Sequence, residues 1–195
     1  QKHGTKALDM YDPSRAKHWI KLVGNDVRTS VGVCVSQAVW MLGYPDRAAR
    51  LSDQKDEDAR QLKHPFDRGW ALTWGAYVFD YRKEPDKLLA RAKESDELAI
   101  EQSIPVLHNA LVPISSGLAM LRMNELTDSI RLLQQGMKVW TDDRGGHLNV
   151  PYMRSALGEA LALQGDIEAG LECIRECLDQ IARPGWNERV WLPEV

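Results

Sequence analysis

The sequence predicts an all-α fold, a solenoid of about four helical hairpins with a repeat of about 40 residues. Three observations predict it. Short polar turns recur along the chain at a steady interval. Small residues recur at the same interval, seven positions before a turn residue. The segments after the turns carry apolar residues at steps of four and three, the spacing of one helix face.

The turns lie at Met41 to Asp46, Arg82 to Asp86, Met123 to Asp128 and Gln164 to Glu168. Their turn residues are Gly43, Lys83, Asn124 and Gly165. Seven positions earlier stand Ser36, Ala76, Gly117 and Gly158, at intervals of 40, 41 and 41. Three positions after each small residue comes an apolar one: Val39, Phe79, Met120 and Leu161. A small residue lets a second helix approach closely, and a bulky neighbour one turn on fills the adjacent space.

The first helices are expected at 29–43, 66–82, 105–123 and 150–164, and the second helices at 45–63, 85–102, 125–141 and 166–182. Leu126, Ile130, Leu133, Met137 and Trp140 form one apolar stripe, and Ile167, Leu171, Ile174, Leu178 and Ile181 repeat it 41 residues on. The stripe weakens to Leu89, Ala92 and Ala99 in the second repeat and to Ala49 and Ala59 in the first, as a terminal repeat would. Pro65, Pro105 and Pro151 mark the connections, because the residue before proline disfavours helix. Pro45 and Pro85 stand at helix starts, where proline is tolerated. Pro113 falls within the third first helix, which must kink there or begin there. Val31 to Val35 is rich in valine, yet reads as helix because its surroundings continue the repeat.

Residues 1–28 are expected to flank the repeats, with a helix near Ala16 to Val23 that ends a preceding one; residues 29–185 hold the hairpins, and 186–195 open a further, truncated repeat. The chain starts at Gln1 and reads as an excised piece of a longer protein. Three cysteines, Cys34, Cys173 and Cys177, do not form a disulfide framework and point to a reducing, cytoplasmic setting. No apolar run approaches the length of a membrane span. A net charge of −3 with interspersed signs disfavours a nucleic-acid surface.

With its columns aligned, the sequence resembles the tetratricopeptide superfamily, on Gly158, Leu161, Gly165 and Asp166 and on the segments Ala38 to Ala48 and His64 to Phe66. It is most similar to the C-terminal repeat region of bacterial multidomain regulators that join cyclase-like or DNA-binding, ATPase and repeat domains. The resemblance implies a right-handed superhelical stack. It implies a concave face that holds a peptide or partner domain, or else a small-molecule-sensing arm that controls an attached ATPase or cyclase domain. By analogy with the repeat family, groove positions fall at Gln37 and Trp40, at Trp70, Thr73 and Tyr77, at Ile114 and Leu118, and at Tyr152, Ser155 and Glu159.

Trp70, Trp74, Tyr77 and Tyr81 share one helix face and read as either core or groove. Such rings bury large areas and keep a polar handle. His108 is a further groove candidate, although a structural histidine fits it as well. Cys173 and Cys177, four apart, read as core packing and not as half of a metal site. Asp56, Glu57 and Asp58 read as a solvated outer face, like Lys93 and Glu94. The sequence has no phosphate-binding glycine loop, nucleophile elbow or zinc-helix motif. A binding module is therefore expected, not an enzyme, with neither cofactor nor metal.

Overall fold

The computed structural model describes residues 2–143 and 146–183. The expected start of a further repeat at 186–195 lies outside the described residues. Among them every regular element is helical and none is a strand. The chain divides into two compact units, Gln1–His108 and Asn109–Val195.

The first unit contains α1 (Lys2–Asp9), a short 3₁₀ turn (Pro13–Arg15), α2 (Ala16–Val23), α3 (Val27–Met41), α4 (Pro45–Leu62), α5 (Pro65–Thr73), α6 (Tyr77–Tyr81) and α7 (Pro85–Glu101). A wide π turn, Leu107–Leu111, spans the boundary. The second unit holds α8 (Val112–Arg122), α9 (Leu126–Lys138), a second π turn (Val139–Asp143), α10 (Val150–Gln164) and α11 (Ile167–Ala182). The hairpins are α3 with α4, α5–α6 with α7, α8 with α9, and α10 with α11. Pro45, Pro65 and Pro85 are the first residues of α4, α5 and α7, where the missing N–H costs nothing.

All four hairpin turns close in one way. Gly43, Lys83, Asn124 and Gly165 adopt the left-handed conformation, with φ of 85°, 58°, 64° and 108°. The N–H of each turn residue bonds the carbonyl three residues back: Gly43 to Trp40 at 2.8 Å, Lys83 to Asp80 at 2.9 Å, Asn124 to Leu121 at 3.1 Å and Gly165 to Ala162 at 3.1 Å. The next N–H reaches five back, as from Tyr44 to Val39 and from Glu125 to Met120. This pair of bonds satisfies carbonyls that the helix end would leave bare. The column read from the sequence is thus a column of helix caps.

The small column closes the hairpins. A Cβ on Gly117 would stand 2.8 Å from Cγ of Leu133, and one on Gly158 would stand 2.9 Å from the Gly170 carbonyl oxygen. In the first unit, fully buried Ser36 and Ala76 hold the same position, and Ala48 and Leu88 on the second helices are as deeply enclosed. Val39, Leu72, Phe79 and Leu88 lie in this unit's core; Ile114, Leu118, Leu133 and Met153 lie in the other's. Burial of each large apolar side chain contributes about 1.5–3 kcal/mol.

The structure departs from the sequence-based expectations at several places. The expected helix over 66–82 is broken into α5 and α6. Gln37 Nε2 donates to the Trp74 carbonyl at 2.9 Å, and Ser52 Oγ donates to the Gly75 carbonyl at 2.7 Å. Ala76 and Phe79 make tight bonds three residues back. Side chains from α3 and α4 thereby take carbonyls that a continuous helix would have used. In the third first helix, the π turn Leu107–Leu111 ends two residues before Pro113. A wider turn relieves the clash of the proline ring with the carbonyl four residues back. Helix α1, with no residue fully buried, was not expected at all.

The acidic run on α4 also differs from its expected solvated face. Asp56 is buried and Asp58 largely so, whereas Glu57 is exposed. Asp58 meets Lys55 at 2.5 Å and Arg28 at 3.2 Å, and Asp56 meets Arg60 at 3.4 Å. Cationic partners on the same and neighbouring helices let these carboxylates turn inward.

Candidate functional site

In the first unit, aromatic rings form a ladder along α5 and α6. Phe66 and Trp70 are centred 5.9 Å apart, Trp70 and Trp74 5.2 Å, and Trp74 and Tyr77 5.2 Å. Trp40 on α3 lies against Tyr81 at 4.7 Å. Steps of four and three along these helices bring the rings into file. Offset ring pairs at these separations are worth about 0.5–1.5 kcal/mol beyond their buried area.

The ladder passes from surface to interior. Phe66, Trp70 and Trp40 are half-buried, while Trp74 and Tyr77 are enclosed. Burial, helped by the nearby Asp80 carboxylate, pushes the Tyr77 phenol far above its usual range. The cluster is therefore core at its inner end and accessible at its outer end.

Gln37 is half-buried and bound to the Trp74 carbonyl, so its amide is a structural tie. Thr73 is buried, with its hydroxyl on the Gly69 carbonyl at 2.8 Å. His108 is exposed, its Nδ1 2.6 Å from Asp96 of α7. In the second unit, Ile114, Leu118, Tyr152 and Ser155 are buried, and Ser155 donates to the Tyr152 carbonyl. Glu159 is exposed and takes a 2.9 Å bond from Arg122. Thr73, Trp74, Tyr77, Tyr152 and Ser155 thus pack inside their units and present no open surface.

Cys177 is buried and donates to the Pro151 carbonyl at 3.3 Å. Burial pushes its thiol up to about 12. Cys173 is half-buried, and its thiol too is raised, first by burial. Among the described residues no group of three or more His, Cys, Asp or Glu side chains is placed to hold a metal ion. Among them no helix is long and apolar enough to cross a membrane.

A cleft of about 200 Å³ with mixed lining also opens in the first unit, between polar Tyr11, Asp26, Arg28 and Asp58 and apolar Ala16 and Leu62, among others. The Tyr11 hydroxyl donates to Asp26 at 2.5 Å. Burial and this bond raise the phenol far above its usual range. Asp26 caps α3 through the Arg28 N–H at 2.7 Å. Its own N–H donates to both oxygens of Asp67, at 3.0 and 3.1 Å. His64 closes the chain, with Nδ1 2.6 Å from Asp67. Burial pushes the Asp67 carboxyl up, against the opposite pull of the Asp26 amide and the His64 ring. Phe66 was not among the site residues expected from the sequence, although it stands four residues before Trp70 and continues the stripe. The cleft was not legible, because Tyr11, Asp26 and Asp58 are scattered along the sequence and no motif links them.

Comparison with protein-family models and with curated protein sequences finds no match.

Proposed function

We propose that this chain is a helical-repeat interaction module, not a catalyst, and that it belongs to a larger bacterial regulatory protein of tetratricopeptide-like architecture. The observation that carries the reading is the aromatic ladder of the first unit, whose outer rings are left half-covered. Trp and Tyr dominate the energetics of protein interfaces because they desolvate much area at little entropic cost. The enclosed Trp74 packs against Trp70, and Trp70 against Phe66, so Phe66 and Trp70 meet a partner already ordered. That lowers the entropic cost of binding. An extended peptide or a partner domain with apolar side chains suits such an edge.

The test is selection of binders from a displayed random-peptide library against the whole chain. The reading expects an enriched consensus with apolar or aromatic anchors. Repeated selection without any consensus would count against it.

A second reading, a small-molecule-sensing arm acting on an attached ATPase or cyclase domain, is favoured by the cleft at Tyr11, Asp26 and Arg28. It predicts a metabolite that raises the melting temperature of the chain and loses its effect in Tyr11→Phe or Arg28→Ala. A broad metabolite screen with no such shift would remove it.

A further inference from the structure

The outer side of α11 carries an apolar stripe open to solvent. Ile167 is 62% exposed, Leu171 50% and Leu178 44%, and Leu163 at the end of α10 is 59% exposed. These α11 residues stand 41 positions after Leu126, Ile130 and Met137 of α9. On α9 that stripe is largely closed: Met137 is 7% exposed and the other two are half-buried. Helix α10 packs against α9. The second unit thus contains its own example of what such a stripe accepts, which is another helix lying along it.

Charge narrows the choice of helix. At 100° per residue, Glu168, Glu172, Arg175 and Asp179 line the solvent edge of the α11 stripe, and all four are exposed. Three carboxylates face one guanidinium there, and Arg175 already bonds Glu172 at 3.2 Å. The corresponding α9 residues are Thr127, Arg131, Gln134 and Lys138, so within this unit the acidic edge is particular to α11. An antiparallel pairing of two copies through α11 would set two acidic edges side by side, which disfavours self-association.

We propose that the outer face of α11 seats an amphipathic helix of a partner protein, with an apolar stripe matched to Ile167, Leu171 and Leu178 and with lysine or arginine along the edge that meets Glu168, Glu172 and Asp179. The stripe from Ile167 to Leu178 is about 17 Å long, so a partner helix of about 12–15 residues covers it. Apolar contact supplies the affinity, and the charged edge sets orientation and choice of partner. This surface lies in the second unit and does not depend on the aromatic ladder of the first.

The experiment uses two synthetic peptides of about 15 residues, long enough for helix, one with leucines on one face and lysines beside them, the other with glutamates in place of the lysines. Each is titrated into the whole chain and two variants, Leu171→Asp and the double variant Glu168→Lys with Glu172→Lys. Far-ultraviolet circular dichroism confirms that all three are folded. The native chain is expected to prefer the lysine peptide at least about tenfold, a difference of about 1.4 kcal/mol. The preference should shrink with added salt. The double variant should reverse it. Leu171→Asp should weaken the lysine peptide at least about tenfold, although it adds a favourable charge. The proposal is overturned by absence of binding, by equal binding of both peptides, by failure of the double variant to reverse the preference, or by indifference to Leu171→Asp. Sedimentation that shows a dimer of the native chain, dissociated by Leu171→Asp, would identify a second copy as the occupant and overturn it too.

Discussion

The side-chain amide of Gln37 donates to the main-chain carbonyl of Trp74 at 2.9 Å, so a residue of α3 ends α5. Ser52 of α4 does the same to the adjacent Gly75 carbonyl. The aromatic ladder turns at this break, with Trp74 on one side and Tyr77 on the other. Gln37→Ala would leave the Trp74 carbonyl with only the long 3.4 Å bond from the Tyr77 N–H. It is expected to cost about 1–2 kcal/mol, read as a lower urea midpoint with an unchanged slope.

Gly158 faces the backbone of Gly170, with no flexible side chain between to give way. Gly158→Ala is therefore expected to destabilise the second unit by about 1–3 kcal/mol, although alanine is the better helix former. Chemical denaturation reads the sign directly: a gain in stability would show that α10 and α11 have room to separate.

Lys83 sits in the left-handed region at φ 58°, in the column where Gly43 and Gly165 stand. Its side chain pays a conformational cost that glycine avoids. Lys83→Gly should raise stability by roughly 0.5–1 kcal/mol, and Gly165→Ala should lower it by about 1–2 kcal/mol. Thermal melts of the two variants should move in opposite directions.

Asp58 sets a dependence on acid. Burial pushes its carboxyl up, but Lys55, Gln54 and Arg28 outweigh burial and hold it below the ordinary aspartate value of 3.8. A group depressed on folding contributes stability that is complete above the ordinary value and drains away as pH falls through the folded-state value. Asp58→Asn should thus be less stable than the native chain at pH 7, by roughly 1–3 kcal/mol. The gap should narrow steadily below pH 3.8. A constant gap across the titration would mean that the lost bonds are not linked to protonation.

Hairpin positions were legible because local chemistry sets them. Gly43, Lys83, Asn124 and Gly165 end their helices through their own backbone conformation, and Pro45, Pro65 and Pro85 begin theirs through a ring that needs no donor. What was not legible depends on contacts between distant residues. The break at Trp74 needs Gln37 and Ser52; the inward turn of Asp56 and Asp58 needs Arg28, Lys55 and Arg60. The same applies to the site. Periodicity placed Trp70, Trp74 and Tyr77 on one face, but only the surrounding helices determine that Trp74 and Tyr77 are covered while Trp70 is not. Tyr152 and Ser155 lie on a face that their neighbours close. Helix α1 buries no residue fully and has no proline, and only Ala7 and Leu8 are apolar in it, too few to announce it.

The central claim is that the outer end of the ladder is a binding edge, and calorimetric titration of one library-selected peptide into native, Phe66→Ala and Trp70→Ala chains tests it most directly. With each variant shown to be folded, the account predicts that Trp70→Ala weakens the peptide at least about tenfold, or about 1.4 kcal/mol, and that Phe66→Ala weakens it measurably. Unchanged affinity in both variants would contradict the account and assign these rings to packing alone.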